Sequence, residues 1–181
     1  MGKNRRYRGR RKAYVDDYKI NEKGEYEYQG VRYEWNLSEA EGRRCFLLFR
    51  LMGPVIFVLI LLAGCIPSPG VNHWPFLMIA YLAGVVVSLS LWILLWQMCG
   101  EKSPMRGHVY DETVGKMSFR IVLTVILEGA SIIGEIVYII LYGTEGHTFG
   151  GILFIILEML ALICTLYMRK KFQMIKWERG Q

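Results

Sequence analysis

Lysine and arginine are absent from two long stretches of this sequence, residues 51–101 and 121–168, which together make up more than half of the 181-residue chain. The chain is 53% hydrophobic, and its mean hydropathy is positive, at +0.26. Most of the hydrophobic residues fall in four apolar runs, which leave no length for a sizeable soluble core. The scarcity of basic residues in these runs therefore favours an integral membrane protein.

Cysteine is scarce as well. The four cysteines stand far apart, without a CxxC pair, so neither a disulfide framework nor a paired-cysteine metal site is indicated. The sequence also lacks a nucleophile elbow, a zinc-protease helix, a phosphate-binding loop and a dinucleotide-binding fingerprint. We therefore expect no enzymatic activity, no cofactor and no resident metal ion.

Each of the four apolar runs is long enough to cross a bilayer as a helix, because about 20 helical residues cover the roughly 30 Å hydrocarbon core. We predict an all-α membrane protein with a four-helix transmembrane bundle at residues 45–169. Residues 1–44 precede the bundle, and residues 170–181 follow it as a basic cytoplasmic tail. The predicted spans are approximately residues 46–66, 75–98, 118–142 and 149–168.

The basic residues predict how the bundle is oriented. Thirteen lie in residues 1–50, four in residues 102–120 and five in residues 169–181. By the positive-inside rule, both termini and the second connection are cytoplasmic, whereas the first and third connections are outside. The small size and the short loops favour a plasma membrane, specifically a bacterial inner membrane.

The N-terminal segment begins with a strongly basic stretch, because residues 3–12 contain seven lysines and arginines. These charges repel one another, and each gains about 1 kcal/mol near an anionic membrane surface. We therefore expect the stretch to contact anionic lipid headgroups. No nucleic-acid-binding module accompanies it, so no nucleic acid partner is expected. The residues assigned to membrane-surface contact are Arg5, Arg6, Arg8, Arg10, Arg11 and Lys12.

Residues 18–35 form short runs that alternate between aromatic or apolar and charged side chains, with turn residues between them. This pattern predicts a small cytoplasmic β-hairpin or a three-stranded meander, with a partly ordered tail as the alternative. Two or three strands are marginal in water, so we expect their aromatic face to rest on a partner, on the membrane surface or on the cytoplasmic loop. That loop, residues 99–115, is rich in glycine, proline and charge and is expected to be irregular.

The start of the first span carries a helix signal. Ser38 and Glu41 have the spacing of a capping box, so a helix is predicted to begin there and to run into the span. A complete break at Pro54 would leave too few residues to cross, and we therefore predict one kinked helix. Arg50 is expected to extend towards the cytoplasmic surface.

The third span carries a polar stripe, in which six residues recur at offsets of four, three, four, three and four and so share one face of a helix. Two acids at this depth cost roughly 5 to 7 kcal/mol, whereas the thirteen Ile, Leu and Val residues between Ile121 and Leu141 return roughly 4 to 8 kcal/mol. The acids are therefore expected to face other helices or water. The six stripe residues are Thr124, Glu128, Ser131, Glu135, Tyr138 and Tyr142.

A third acid, Glu158, falls near the midpoint of the fourth span. The short turn makes the third and fourth spans antiparallel neighbours, so this acid is expected to lie beside the stripe. Several carboxyls without an intramembrane lysine or arginine are typical of a proton or cation site. We predict a small proton- or cation-linked transport component. The predicted site residues are Glu128, Glu135, Glu158, Ser131 and Thr124.

Two other roles for the acids remain open. Protonated glutamates and hydroxyl groups also form hydrogen-bonded packing contacts between membrane helices. Alternatively, the acids form a socket for a basic residue of a partner, in which case the protein is a non-catalytic tetraspan subunit or scaffold. Such a scaffold would dock its partner through its helices and its basic cytoplasmic tail. Because four helices leave little room for a pore, we expect a homodimer or an assembly with another membrane protein.

Overall fold

The computed structural model of the protein describes residues 18–20, 26–100, 104–144 and 146–180. The basic stretch predicted to contact the membrane surface lies outside these residues. That prediction, which concerns Arg5, Arg6, Arg8, Arg10, Arg11 and Lys12, therefore stays a prediction.

Four long helices dominate the structure, and each packs mainly against two neighbours, so that together they form a closed ring. All four are long and apolar enough to cross a membrane. This confirms the predicted all-α four-helix bundle and supports a multi-pass membrane protein. In their order around the ring, the four helices are α1 (Glu39–Gly64), α3 (Pro75–Gly100), α5 (Val114–Tyr142) and α6 (Thr148–Met174).

Helix α1 begins as its sequence predicts. The Ser38 hydroxyl accepts a hydrogen bond from the Glu41 amide at 3.4 Å, and the Glu41 carboxylate accepts one from the Ser38 amide at 3.3 Å. The helix continues through Pro54 without a break. Arg50 is exposed, and its guanidinium lies 4.1 Å from the ring centroid of Trp96 on α3.

Two small sheets lie near one end of the bundle. Strands β1 (Tyr18–Ile20) and β2 (Tyr26–Tyr28) form an antiparallel hairpin. Strand β3 (Arg32–Trp35) does not extend this hairpin into a meander, because it pairs antiparallel with β4 (Met105–Arg106) on one side and with β5 (Trp177–Gly180) on the other. We call the end of the bundle that carries β3, β4 and β5 the sheet end.

The second connection and the C-terminal segment are more ordered than expected. The connection predicted as an irregular loop contains β4 and a short helix α4 (Gly107–Glu112), and the predicted basic tail contains the last turn of α6 and all of β5. Both segments gain order because β3 supplies hydrogen-bonding partners that are distant in sequence. Local composition carries no sign of such pairing.

Aromatic side chains join the three-stranded sheet to the second connection. The rings of Tyr33 and Tyr110 stack with their centroids 3.9 Å apart, and Trp177 packs edge-on against Trp35 at 5.8 Å. The backbone amide of Gly107 donates to the Tyr28 hydroxyl at 3.2 Å. The aromatic face of the N-terminal segment therefore rests on the connecting loop, one of the three supports expected from the sequence.

At the opposite end of the bundle, the first connection folds inward. It contains a short helix, α2 (Pro69–His73), whose first three residues are buried. This helix contacts α3, α5 and α6, and it closes that end of the ring. We call this end the α2 end. Close approach requires glycine at Gly150 of α6, where a Cβ atom would collide with the carbonyl oxygen of Pro67.

This close approach yields a prediction with a matched control. Gly150→Ala should lower the thermal unfolding midpoint, because overpacking costs about 1 to 3 kcal/mol and outweighs the gain of roughly 1 kcal/mol in helix propensity. Gly129→Ala, in α5, meets no atom within 4 Å and should leave the midpoint unchanged or raise it. Intrinsic tryptophan fluorescence of the detergent-purified variants measures both midpoints. Equal shifts would contradict the close packing of the first connection on α6.

Candidate functional site

The five predicted site residues all lie inside the bundle. Four belong to α5 and one to α6, and none is more than 2% exposed. The opposite face of α5 is exposed at Ile126, Ile133 and Ile140. The polar stripe thus faces the neighbouring helices from Thr124 to Tyr138, whereas Tyr142 at its end is exposed. The apolar face of α5 points away from the bundle, where lipid would lie. The five residues are Thr124, Glu128, Ser131, Glu135 and Glu158.

Glu128 lies at the centre of α5 and contacts α6. Its Oε1 atom accepts a hydrogen bond from the Thr165 hydroxyl at 3.1 Å, and the same hydroxyl lies 2.9 Å from the carbonyl oxygen of Ala161. A hydroxyl carries one proton, so it satisfies both oxygens fully only if the carboxyl supplies a second proton. The Oε2 atom of Glu128 is buried and has no hydrogen-bond partner among the described residues.

Glu158 approaches the same region from α6, two helical turns before Thr165. Its Oε1 atom is also buried without a hydrogen-bond partner in the described part of the chain. Its carboxyl is close enough to interact electrostatically with Glu128 and with the Tyr81 hydroxyl of α3. That hydroxyl donates to the backbone carbonyl of Ile60 at 2.8 Å, so it is already engaged with α1. Glu128 and Glu158 therefore form a pair of carboxyls within electrostatic reach of each other, and each has a buried oxygen without a hydrogen-bond partner among the described residues.

Glu135 has a different environment, at the start of α2. Its Oε1 atom accepts a hydrogen bond from the Gly70 amide at 3.1 Å, and its Oε2 atom accepts one from the Val71 amide at the same distance. The Ser68 hydroxyl lies 3.5 Å from Oε2. The first amide groups of a helix have no hydrogen-bond acceptor within that helix. Here the Glu135 carboxylate of α5 is the acceptor for two of them. Glu135 thus anchors α2 to the bundle.

The two hydroxyl residues of the predicted site differ in their engagement. Thr124 donates to the carbonyl oxygen of Arg120 at 2.9 Å, within its own helix. Ser131 is buried on the stripe, between the level of Glu128 and that of Glu135. The structure therefore places Glu128 and Glu158 within electrostatic reach of each other, and it assigns Glu135 to a separate contact about two turns further along α5.

Three contributors to these contacts were not assigned to the site from the sequence: Thr165, Tyr81 and the Ser68–Val71 segment. The pair Ser68 and Pro69 has the composition of a helix start, which is a local signal for α2. The partner of that helix start is more than 60 residues away, however, so spacing alone does not identify it. The hydroxyl of Tyr81 lies in an apolar helix and gives no periodic signal.

The described residues contain no group of three or more His, Cys, Asp and Glu side chains arranged to hold a metal ion. No protein-family model, curated protein or solved structure matches this chain. The chemistry of the carboxyl sites is therefore the basis on which a function is proposed.

The anchor at Glu135 predicts a loss of stability on amide substitution. Glu135→Gln keeps the size of the side chain, but it replaces one acceptor oxygen with a donor that faces a backbone amide. Hydrogen bonds to charged groups contribute about 1.5 to 3 kcal/mol, so a large part of that stabilisation should be lost. The thermal unfolding midpoint should fall, and hydrogen–deuterium exchange of a peptide covering residues 68–73 should become faster.

Glu39→Gln is the matched control for this change. Glu39 is 86% exposed and pairs with Arg43 on the surface of α1, so its neutralisation should shift stability by no more than about 0.5 kcal/mol. If Glu135→Gln leaves the exchange of residues 68–73 as slow as this control does, Glu135 does not hold α2 in place.

Proposed function

We propose that this multi-pass membrane protein is a small proton- or cation-linked transport component, and that Glu128 and Glu158 carry its ion-binding site. The observation that supports this proposal is the buried carboxyl pair between α5 and α6, in which each carboxyl keeps one oxygen without a hydrogen-bond partner among the described residues. No lysine or arginine occurs in residues 51–101 or 121–168, so the apolar parts of α3, α5 and α6 supply no counter-charge.

The incomplete hydrogen bonding argues against a purely structural role. A buried polar atom without a partner costs about 1 to 3 kcal/mol, whereas a hydrogen bond between membrane helices contributes roughly 0.6 to 2 kcal/mol. A carboxyl kept only for packing would be expected to have both oxygens satisfied, as the carboxylate of Glu135 does. A buried polar atom without a protein partner calls for an explanation, and binding of a proton, a water molecule or an ion is one that fits two acids inside a membrane.

The site suits a proton better than a metal cation. Two carboxyls and the Thr165 hydroxyl provide few oxygen ligands, whereas a calcium ion takes 6–8 of them and a magnesium ion requires near-ideal octahedral geometry. A proton needs one acceptor oxygen, and two neighbouring carboxyls can hold it in turn. In a medium of low dielectric constant, a carboxyl without a counter-ion is far less costly in its neutral form. The pair would therefore bind a proton and release it when water or a substrate enters.

A transport cycle requires access to this pair from both sides of the membrane. The cavities of about 360 and 470 Å³ near the sheet end include neither acid in their lining, and α2 covers the opposite end. Access would therefore alternate between closed and open arrangements, with displacement of α2 opening one side. The distribution of basic residues supports an orientation in which both termini are cytoplasmic, and the small bundle supports action as a homodimer.

The alternative function is a non-catalytic tetraspan subunit or scaffold. If the acids of such a subunit form a socket for a basic residue, a helix of the partner must reach them. Glu128 and Glu158 are covered by the helices of this chain itself. This burial favours transport over the socket. Purification in mild detergent distinguishes the two functions, because a scaffold should repeatedly retain a stoichiometric membrane partner.

Chemical labelling tests the proposed site without knowledge of the transported substrate. A hydrophobic carbodiimide reacts with protonated carboxyls inside membranes. We expect it to modify Glu128 or Glu158 in membrane vesicles, whereas Glu135, held by two amides, and the exposed Glu39 should stay unmodified. Peptide mass spectrometry identifies the labelled residue, and the labelling rate should fall as pH rises. Absence of label from both Glu128 and Glu158, or labelling that is equal at all four glutamates, contradicts the proposal.

Substitution tests the role of the pair in transport. In proteoliposomes with an imposed potassium diffusion potential, proton uptake by Glu128→Gln and Glu158→Gln should fall to the level of protein-free liposomes. Glu39→Gln should retain the wild-type rate. Each variant must elute from size exclusion at the wild-type position, so that loss of uptake is not loss of folding. Wild-type uptake by both folded pair variants would reject the assignment.

A further inference from the structure

A groove of about 360 Å³ lies between α1 and α6 at the sheet end. Arg44 and Lys171 line it at one level, and Leu48 and Tyr167 line it one helical turn further from the sheet. Helices α1 and α6 run antiparallel. Four residues forward along α1 and four residues back along α6 therefore lead in the same direction, away from the sheet. Along each wall, a basic residue is therefore followed by an apolar or aromatic one within one turn, and on α6 the Lys171 ammonium lies 5.8 Å from the ring centroid of Tyr167.

The basic level of the groove coincides with the ends of the apolar runs. The apolar run of α1 begins at Phe46, and that of α6 ends at Met168. Arg44 and Lys171 lie two to three residues outside these limits. At such positions, basic side chains meet the phosphates of a bilayer, while side chains one turn deeper meet acyl chains.

Neither basic side chain forms an ion pair with an acid among the described residues, although Arg44 lies close enough to Glu41 to interact with it electrostatically. The ion pair found in that part of the chain joins Arg43 to Glu39. Glu41 also lines the groove, but its carboxylate accepts hydrogen bonds from the Ser38 hydroxyl at 2.7 Å and from the Ser38 amide at 3.3 Å. The groove thus presents a net positive charge beside an apolar wall.

We propose that this groove binds one anionic phospholipid. The phosphate lies between Arg44 and Lys171, and an acyl chain runs along Leu48 and Tyr167. The basic N-terminal stretch, residues 3–12, is a poor occupant because it carries the same charge as the groove. A second copy of the chain would bring the same two basic residues against each other. A lipid matches both the charge and the apolar wall. This inference does not depend on the proposed transport function.

Native mass spectrometry of the full chain tests the proposal, with phosphatidylglycerol as the anionic probe and phosphatidylcholine as the neutral one. The wild-type protein should retain phosphatidylglycerol preferentially. Arg44→Gln combined with Lys171→Gln should weaken this retention roughly tenfold or more. Arg43→Gln combined with Lys170→Gln removes the same net charge from neighbouring positions that do not line the groove, and it should weaken retention far less.

A second measurement uses the wild-type protein alone. Cys45 lines the groove, whereas the exposed Cys65 lies near the α2 end of the bundle. Alkylation of Cys45 by a maleimide should be slower in nanodiscs that contain phosphatidylglycerol than in those of phosphatidylcholine. The alkylation rate of Cys65 should be the same in both.

Several outcomes would overturn the proposal. Equal loss of lipid in the two double variants would indicate a diffuse surface charge, and equal retention of both lipids would show no selectivity. Displacement of the lipid by millimolar inorganic phosphate would indicate a site for the free anion. Protection of Cys45 that rises with protein concentration and not with anionic lipid would indicate a second copy of the chain.

Discussion

A carboxyl group in the hydrocarbon core of a membrane is tolerated only where other groups replace water as its partners. Helix α5 carries two such carboxyls and is close to break-even as an isolated span, since the cost of the acids nearly equals the gain from its aliphatic residues. Their inward orientation follows from this balance, and so does the position of α5 between α3 and α6. The exposed isoleucines occupy the remaining face, where contact with lipid carries no penalty.

The two carboxyls of α5 lie in different environments along the same stripe. Glu135 meets the free amides of α2, which need an acceptor as much as the carboxylate needs donors. Glu128 meets a single hydroxyl from α6 and a second acid, so part of its hydrogen-bonding capacity stays unused. Helix α5 thus carries Glu135, which stabilises the fold, and Glu128, which belongs to a pair with unused hydrogen-bonding capacity. The periodicity that identifies both acids does not distinguish between these environments.

Features set by local pattern were predictable from the sequence. The four long helices, the capping box at Ser38 and the shared face of the stripe from Thr124 to Tyr138 follow from hydropathy, spacing and composition, and the structure contains all of them. The partners of β3 and of Glu135 were not predictable, because they lie 64 or more residues away and a single sequence carries no record of such contacts. The order of the second connection was missed for the same reason, since β4 is a strand only beside β3.

The pairing of β3 with β5 has a consequence for biogenesis. Strand β3 precedes all four helices, whereas β5 follows the last of them, so one edge of β3 stays unpaired until the whole bundle has been synthesised. Closing a loop of this length carries a large entropic cost unless the helices have already assembled and brought the two segments together. Formation of the three-stranded sheet is therefore a late event, and the completed sheet marks a chain whose four helices have all inserted and packed.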